Sequence, residues 1–218
     1  MNSTIEKLTT SYLDALQWRY ATKKFDASKR ISETDLATLK EAIRLSASSY
    51  GLQPYSVLVI SNTALREKLR PACWNQPQIT DASHVFVFAG KKDFDHTLID
   101  SYLELVSTAR YLPIDSLVGY GNFMKSKLLN LPQETKTSWA SHQAYLAAGN
   151  LLSAAAALQI DTCPMEGFER DAVDAVLNLD DKGLTTALIV PAGYRSESDQ
   201  TQYYKKVRRT PEELFITI

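Results

Sequence analysis

Three apolar runs stand out along the chain: Tyr55-Ser56-Val57-Leu58-Val59-Ile60, Val85-Phe86-Val87-Phe88-Ala89-Gly90, and Thr185-Thr186-Ala187-Leu188-Ile189-Val190-Pro191-Ala192-Gly193. Each is short, rich in β-branched or aromatic residues and bounded by polar segments, so each predicts a strand. The second has no polar position, which suits a strand buried on both faces. Elsewhere the apolar residues recur at helical spacing. Ile5, Leu8, Tyr12, Leu13 and Leu16 predict a helix from Thr4 to Trp18, capped by Ser3 or Thr4. Ser32-Glu33-Thr34-Asp35 resembles a capping box with Asp in place of Glu, and the helix it opens should turn Leu36, Leu39, Ala42, Ile43 and Leu45 inward. Asn62 should cap a short helix reaching about Arg70, followed by a loop from Pro71 to Gln78. Two helices around Pro113 are expected between residues 96 and 131, and another from Glu169 to about Leu177.

The longest uncharged run, Thr137 to Ile160, is long enough to cross a bilayer. However, His142, Gln143, Asn150, Ser153 and Gln159 interrupt it, and its many alanines are only weakly apolar. It reads as a buried central helix whose Ala and Gly let a neighbour approach closely, in a bundle core or a dimer interface. The tail is polar from Arg195 until Leu214-Phe215-Ile216-Thr217-Ile218. That ending is β-prone but has no hairpin partner nearby, so its partner should lie far away, on another subunit among the options.

Composition narrows the class. A chain of 218 residues, 44% hydrophobic and 22% charged, can bury a sizeable core, and residues 1–218 are expected to form one domain. The net charge of −1 makes any basic cluster a local feature and argues against a general nucleic-acid coat. Cys73 and Cys163 lie far apart, and His84, His96 and His142 are isolated, so neither a disulfide framework nor a metal site is expected. With no apolar leader at the start, the expected location is cytoplasmic.

The candidate chemistry begins at Arg19-Tyr20-Ala21-Thr22-Lys23-Lys24-Phe25, which places three cations in six residues. A helix C-terminus alone would account for such charges. A second cluster, Lys205-Lys206-Val207-Arg208-Arg209, lies at the far end of the chain. If the fold joins the two, they make a pocket for a phosphate or another anion. No GxGxxG, Walker loop, HExxH or GxSxG motif is present. Hydrolysis, metal catalysis and a Rossmann cofactor site are therefore not indicated, and no side chain is singled out as a catalytic acid or base.

Taken in order, several loose motifs resemble the nitroreductase/NAD(P)H-flavin oxidoreductase family, in particular the oxygen-insensitive nitroreductases and related bacterial flavin reductases. They are the stretch from Arg19 to Asp26, Leu45-Ser46-Ala47-Ser48-Ser49 with Gln53-Pro54, and Asp81-Ala82-Ser83-His84-Val85. Gln143-Ala144-Tyr145-Leu146 with Gly149-Asn150, and Pro164-Met165-Glu166-Gly167-Phe168, complete the set. The resemblance implies an α+β fold with a mostly antiparallel central sheet flanked by helices. It implies an interlocked homodimer that exchanges its C-terminal segments and holds FMN tightly at the interface. By resemblance, Arg19, Lys206 and Arg208 hold the FMN phosphate, with Tyr20 and Ala21 beside them. Lys23 and Asn75 address the pyrimidine edge of the flavin and the incoming substrate. Ser48 and Ser49 reach the other subunit's flavin, Glu166 and Gly167 lie over the ring, and Gln53, Gln143, Pro164 and Met165 also belong to the cofactor site.

The implied activity is NAD(P)H-dependent reduction of nitroaromatics, quinones or free flavin by a ping-pong cycle. Tyr120 and Phe123, next to Met124, are expected at the site for these small-molecule acceptors. The alternatives are a specialist of the same fold, such as a dihydropteridine reductase, and a non-enzymatic dimer that binds anions or nucleic acid. The chain departs from the family at Ala21, where a Ser is common, at Gly51, where some relatives have Asn, and at Gln78, where some have a second Lys. These departures bear on redox tuning and acceptor choice.

Overall fold

A computed structural model describes residues 12–218 of the chain. The predicted helix is present from residue 12 to residue 18, which we call α1. Its expected start, with Ile5, Leu8 and the cap at Ser3 or Thr4, lies outside the described residues. Four strands, β1 (Tyr55–Ile60), β2 (His84–Lys91), β3 (Asp161–Thr162) and β4 (Leu184–Gly193), form one sheet in the order β1-β2-β4-β3. Every pairing in it is antiparallel.

The apolar run Val85–Gly90 lies in β2, one of the two interior strands of the sheet. Along β2, Val85, Val87 and Ala89 point into one apolar cluster, while Phe86 and Phe88 point into another. A strand alternates its side chains between faces, so both faces must be covered. On the first face lie α3 (Thr63–Ala72), α4 (Gln78–Asp81) and α8 (Arg170–Leu177); on the second lie α2 (Glu33–Arg44) and α7 (Gln133–Ala157). A third cluster, around Phe94, Ile99, Leu103 and Met124, joins α5 (His96–Arg110) to α6 (Val118–Leu128) and leans on Trp139 of α7.

Most helix boundaries follow their chemistry. Ser32 Oγ accepts the Asp35 N–H at 3.0 Å, and Asn62 Oδ1 accepts that of Leu65 at 2.8 Å. The alanines of α7 at 140, 144, 147, 148 and 155 are buried against the sheet, as expected of a central helix. Its other side is not covered among the described residues: Leu146 is 56% exposed.

Three expectations are corrected. Leu45 does not turn inward: it is the C-cap of α2 and is 66% exposed, because the helix ends before its period returns to the core. Pro71 and Ala72 belong to α3 rather than to a loop, and Gln78 begins α4. Pro71 gives up its own backbone bond to the preceding turn, a cost confined to the last turn of α3. Finally, Leu214 is not part of an extended ending: it closes a short helix, α9 (Pro211–Leu214), fixed by a reciprocal cap between Thr210 and Glu213.

Candidate functional site

The two basic clusters do meet. Arg19, Lys206 and Arg208 line one cavity of about 570 Å³, together with Leu13, Asp14, Leu16 and Gln17. Helix α1 ends at Trp18, so the Arg19 and Lys23 region runs on as irregular chain. The Lys206 ammonium donates to the carbonyls of Leu16 (2.8 Å), in the last turn of α1, and of Arg19, just past its end, and so pins the tail to the helix end. Burial and then the nearby Arg208 hold the Arg19 guanidinium below its usual range. Burial, Arg19 and Arg208 do the same to Lys206. Arg19 Nε is buried with no partner among the described residues. Three cations crowded round one cavity, opposed by Asp14 alone among its lining residues and with a buried donor unspent, fit a phosphate ester.

The stretch from Tyr20 to Phe25 is held in place by two buried acids that sequence reading missed. Asp199, 1% exposed, accepts from the Tyr20 hydroxyl (2.9 Å) and from the backbone N–H groups of Lys23 (2.8 Å), Lys24 (3.1 Å) and Thr201 (3.0 Å). Burial would raise its pKa, but these hydrogen bonds outweigh it and hold the carboxyl below the usual carboxylate range. Asp161, 3% exposed, accepts from Arg195 Nε and from the Arg195 N–H, each at 2.8 Å. The Arg195 guanidinium in turn lies over the rings of Trp18 (4.2 Å) and Tyr20 (4.6 Å). Ala21 bridges to Thr162 of β3 and Phe25 to Arg195. The Lys23 side chain is thereby left exposed.

Asn75 and Gly167 belong to two loops that are bonded together. Gln76 Nε2 donates to the Gly167 carbonyl at 2.8 Å, and the Glu169 N–H donates to that of Ala72 at 2.8 Å. Met165 bridges to Ile189 of β4, which ties Pro164–Gly167 to the sheet. The Tyr145 hydroxyl on α7 donates to Glu166 at 2.7 Å. Burial and that carboxylate raise the phenol pKa to about 12. Gln78 is 5% exposed, its Oε1 has no partner, and its side chain reaches the Cys163 thiol. Burial raises the pKa of that thiol.

Ser48, Ser49, Gln53 and Gln143 form a separate group. Gln143 Oε1 accepts the Ser49 N–H (2.8 Å), Ser48 Oγ accepts that of Gln53 (3.0 Å), and Gln53 Nε2 donates to the Arg44 carbonyl (2.9 Å). Tyr50, Gly51 and Gln53 all have positive φ. At Gly51, with φ +78°, a side chain would be strained, and a Cβ would come within 2.9 Å of the Tyr102 hydroxyl, which would have to shift. Tyr120 (44% exposed) and Phe123 (48%) stand on the outer side of α6, and Phe123 packs edge-on to Tyr50 at 6.4 Å. Met124 is instead fully buried.

The architecture defines a class. A Bacillus subtilis nitroreductase, ydfN, superposes with a TM-score of 0.86 at 22% identity, over 96% of this chain and all of that one. An Exiguobacterium sibiricum nitroreductase solved in complex with FMN gives 0.80 at 19% identity, over 95% and 97%. At these identities the likeness establishes a nitroreductase-like α+β fold. The nitroreductase family model matches residues 16–194. A Staphylococcus saprophyticus protein named as an NAD(P)H nitroreductase is 34% identical over 218 residues, covering 95% of this chain and 97% of its own. One from Bacillus subtilis is 36% identical over 199 residues, covering 86% and 90%. The chain belongs to the nitroreductase family of oxidoreductases.

Proposed function

We propose that the chain is an FMN-dependent NAD(P)H oxidoreductase that reduces nitroaromatics, quinones or free flavin by a ping-pong cycle. The observation that carries this reading is the convergence of Arg19, Lys206 and Arg208 on one cavity. On this reading, the phosphate that the cavity would take is that of FMN. Bound FMN would supply the hydride chemistry, and the chain supplies binding, orientation and electrostatics. Arg19, Lys206 and Arg208 neutralise the phosphate. Lys23 and Asn75 would face the polar edge of the ring system, and the backbone of Glu166 and Gly167 would lie over it. Lys23 adds positive charge on the side where reduction places negative charge. Tyr120 and Phe123 bound the opening through which nicotinamide and then acceptor enter in turn.

The test is direct. Purified protein should be yellow, release FMN on denaturation, bleach on anaerobic addition of NADH or NADPH, and regain colour with a nitroaromatic or quinone. Protein that binds no FMN would overturn the reading and favour the anion-binding dimer.

The same reading includes an interlocked homodimer. It is supported by the open side of α7, by Phe215 and Ile216, which are 68% and 88% exposed, and by Ile218, which is fully exposed. Apolar residues left this bare in one chain are expected to be covered by another. Ser48 and Ser49, held by Gln143 apart from the basic cavity, would then serve the partner's flavin. Removing Leu214–Ile218 should weaken both the dimer and FMN retention in sedimentation runs at high dilution. A stable flavin-loaded monomer would sink the dimer.

Gln78 provides a redox prediction. Because it is buried, a charge placed there escapes much of the screening by water and salt. Gln78→Lys should favour the more negative, reduced side of the FMN couple. The midpoint potential should rise by roughly 20–40 mV, taking about 30 mV per 1.4 kcal/mol for two electrons. An unchanged or lower potential in a spectroelectrochemical titration would place Gln78 away from the pyrimidine edge.

A further inference from the structure

We infer that Trp74 is a specificity-determining wall of the acceptor site, a rigid indole face against which flat aromatic acceptors stack, and that Glu169 is its positioning residue. This rests on the proposed function, because Trp74 is neighbour to two of the residues assigned to the flavin. It precedes Asn75 in sequence and touches Gly167 in space.

Trp74 is 60% exposed, although it is the largest apolar side chain in its loop. Yet it is not loose. Its Nε1 donates to Glu169 Oε1 at 2.8 Å. Its six-membered ring backs onto Gly167, where an added Cβ would lie 2.8 Å from Cζ3 and 2.9 Å from Cε3. Glycine at 167 is therefore what lets the indole sit flush on that loop. The backbone is constrained too: Trp74 and Asn75 have φ of 54° and 56°, two consecutive non-glycine residues in the left-handed region. Such backbone persists only where its surroundings over-determine it. Here the Asn75 N–H donates to the Arg70 carbonyl (3.0 Å), and Arg70 Nε donates back to that of Asn75 (3.1 Å).

A core residue would be covered, and a solvent-facing tryptophan would have no need of a hydrogen bond, a glycine seat and a strained backbone. A ring fixed by its edge and backed on one side, with area still open, is a preorganised stacking platform. It loses little freedom when a second ring joins it. The preferred ligand is flat and aromatic, whereas a compact inorganic oxidant gains nothing from it.

The experiment uses FMN-loaded Trp74→Leu, Trp74→Phe, Glu169→Ala and Glu169→Gln. The first readout is binding of 4-nitrobenzoate to oxidised holoenzyme without reductant, from the visible flavin spectrum. The second is kcat/KM for 1,4-naphthoquinone against ferricyanide. Trp74→Leu should weaken 4-nitrobenzoate binding about tenfold and raise KM for the quinone similarly, with ferricyanide turnover within twofold of wild type. Trp74→Phe should stay within about threefold. Glu169→Ala should lose about three- to fivefold, and Glu169→Gln, which keeps an oxygen for Nε1, should restore most of it. A neutral Trp74→Leu, or equal losses with all three ligands, would overturn the wall. A Glu169→Gln no better than Glu169→Ala would overturn the positioning role. Wild-type protein that carries no FMN would instead overturn the function on which the inference stands.

Discussion

Asp199→Ala should lose about 3–5 kcal/mol of stability, because each partly buried donor left without an acceptor costs about 1–3 kcal/mol. Four donors would lose a shared acceptor at once: the Tyr20 hydroxyl and the N–H groups of Lys23, Lys24 and Thr201. For a domain of this size, that corresponds to a fall in Tm of roughly 10 °C. The damage should not stop at stability, because these bonds shape the chain that runs from Arg19 to Lys24. FMN retention should fall with it, although Asp199 is one of no flavin contacts proposed above.

The pH dependence follows from the sign of the shift. The folded pKa of Asp199 lies below its unfolded value of about 3.9, so its contribution is complete above that value. It is lost as pH falls through the folded pKa. Asp199→Asn cannot titrate, so the Tm gap between it and wild type should narrow below about pH 4. A constant gap from pH 3 to pH 7 would show that the carboxylate form is not what holds the loop.

The contrast between what could and could not be read in the sequence has a physical basis. β2 was legible because a strand covered on both faces has no polar position, and its burial leaves no other pattern. α7 was legible because polar residues broke an alanine-rich run that length alone would have sent across a membrane; among the described residues, no helix is long and apolar enough to do so. Leu45 misled because helical spacing continues in sequence past the point where the helix stops. The local signal that could have corrected it is the Ser46-Ala47-Ser48-Ser49 run that follows. Asp161, Asp199 and Arg195 left no local signal. Their bonds to the Tyr20–Lys24 stretch span more than a hundred residues of sequence or act through a second buried partner, and a lone Asp in a polar tail resembles any other. The meeting of Arg19 with Arg208 was foreseeable only as a condition. Charge clusters state what they would bind if joined, and the sheet decides whether they join.

Arg208→Ala tests that junction through two measurements expected to move independently. A forked, charge-assisted contact to phosphate is worth about 1.5–3 kcal/mol, so FMN affinity should weaken roughly 10- to 150-fold, read from flavin fluorescence. The apoprotein should behave differently. Without phosphate, Arg208 contributes mainly repulsion, since it pushes down the pKa of both Arg19 and Lys206. Its side chain donates to its own neighbour, the Val207 carbonyl at 2.6 Å, and no carboxylate pairs with it among the described residues. The apo Tm should therefore stay level or rise slightly. Arg19→Ala should cost more FMN affinity than Arg208→Ala, because the Arg19 guanidinium is more buried, its Nε has no partner among the described residues, and its charge is less screened. Both losses should shrink as salt rises. A fall in apo Tm matching the fall in affinity would make Arg208 a structural residue. Unchanged affinity would mean that the three cations attract some other anion.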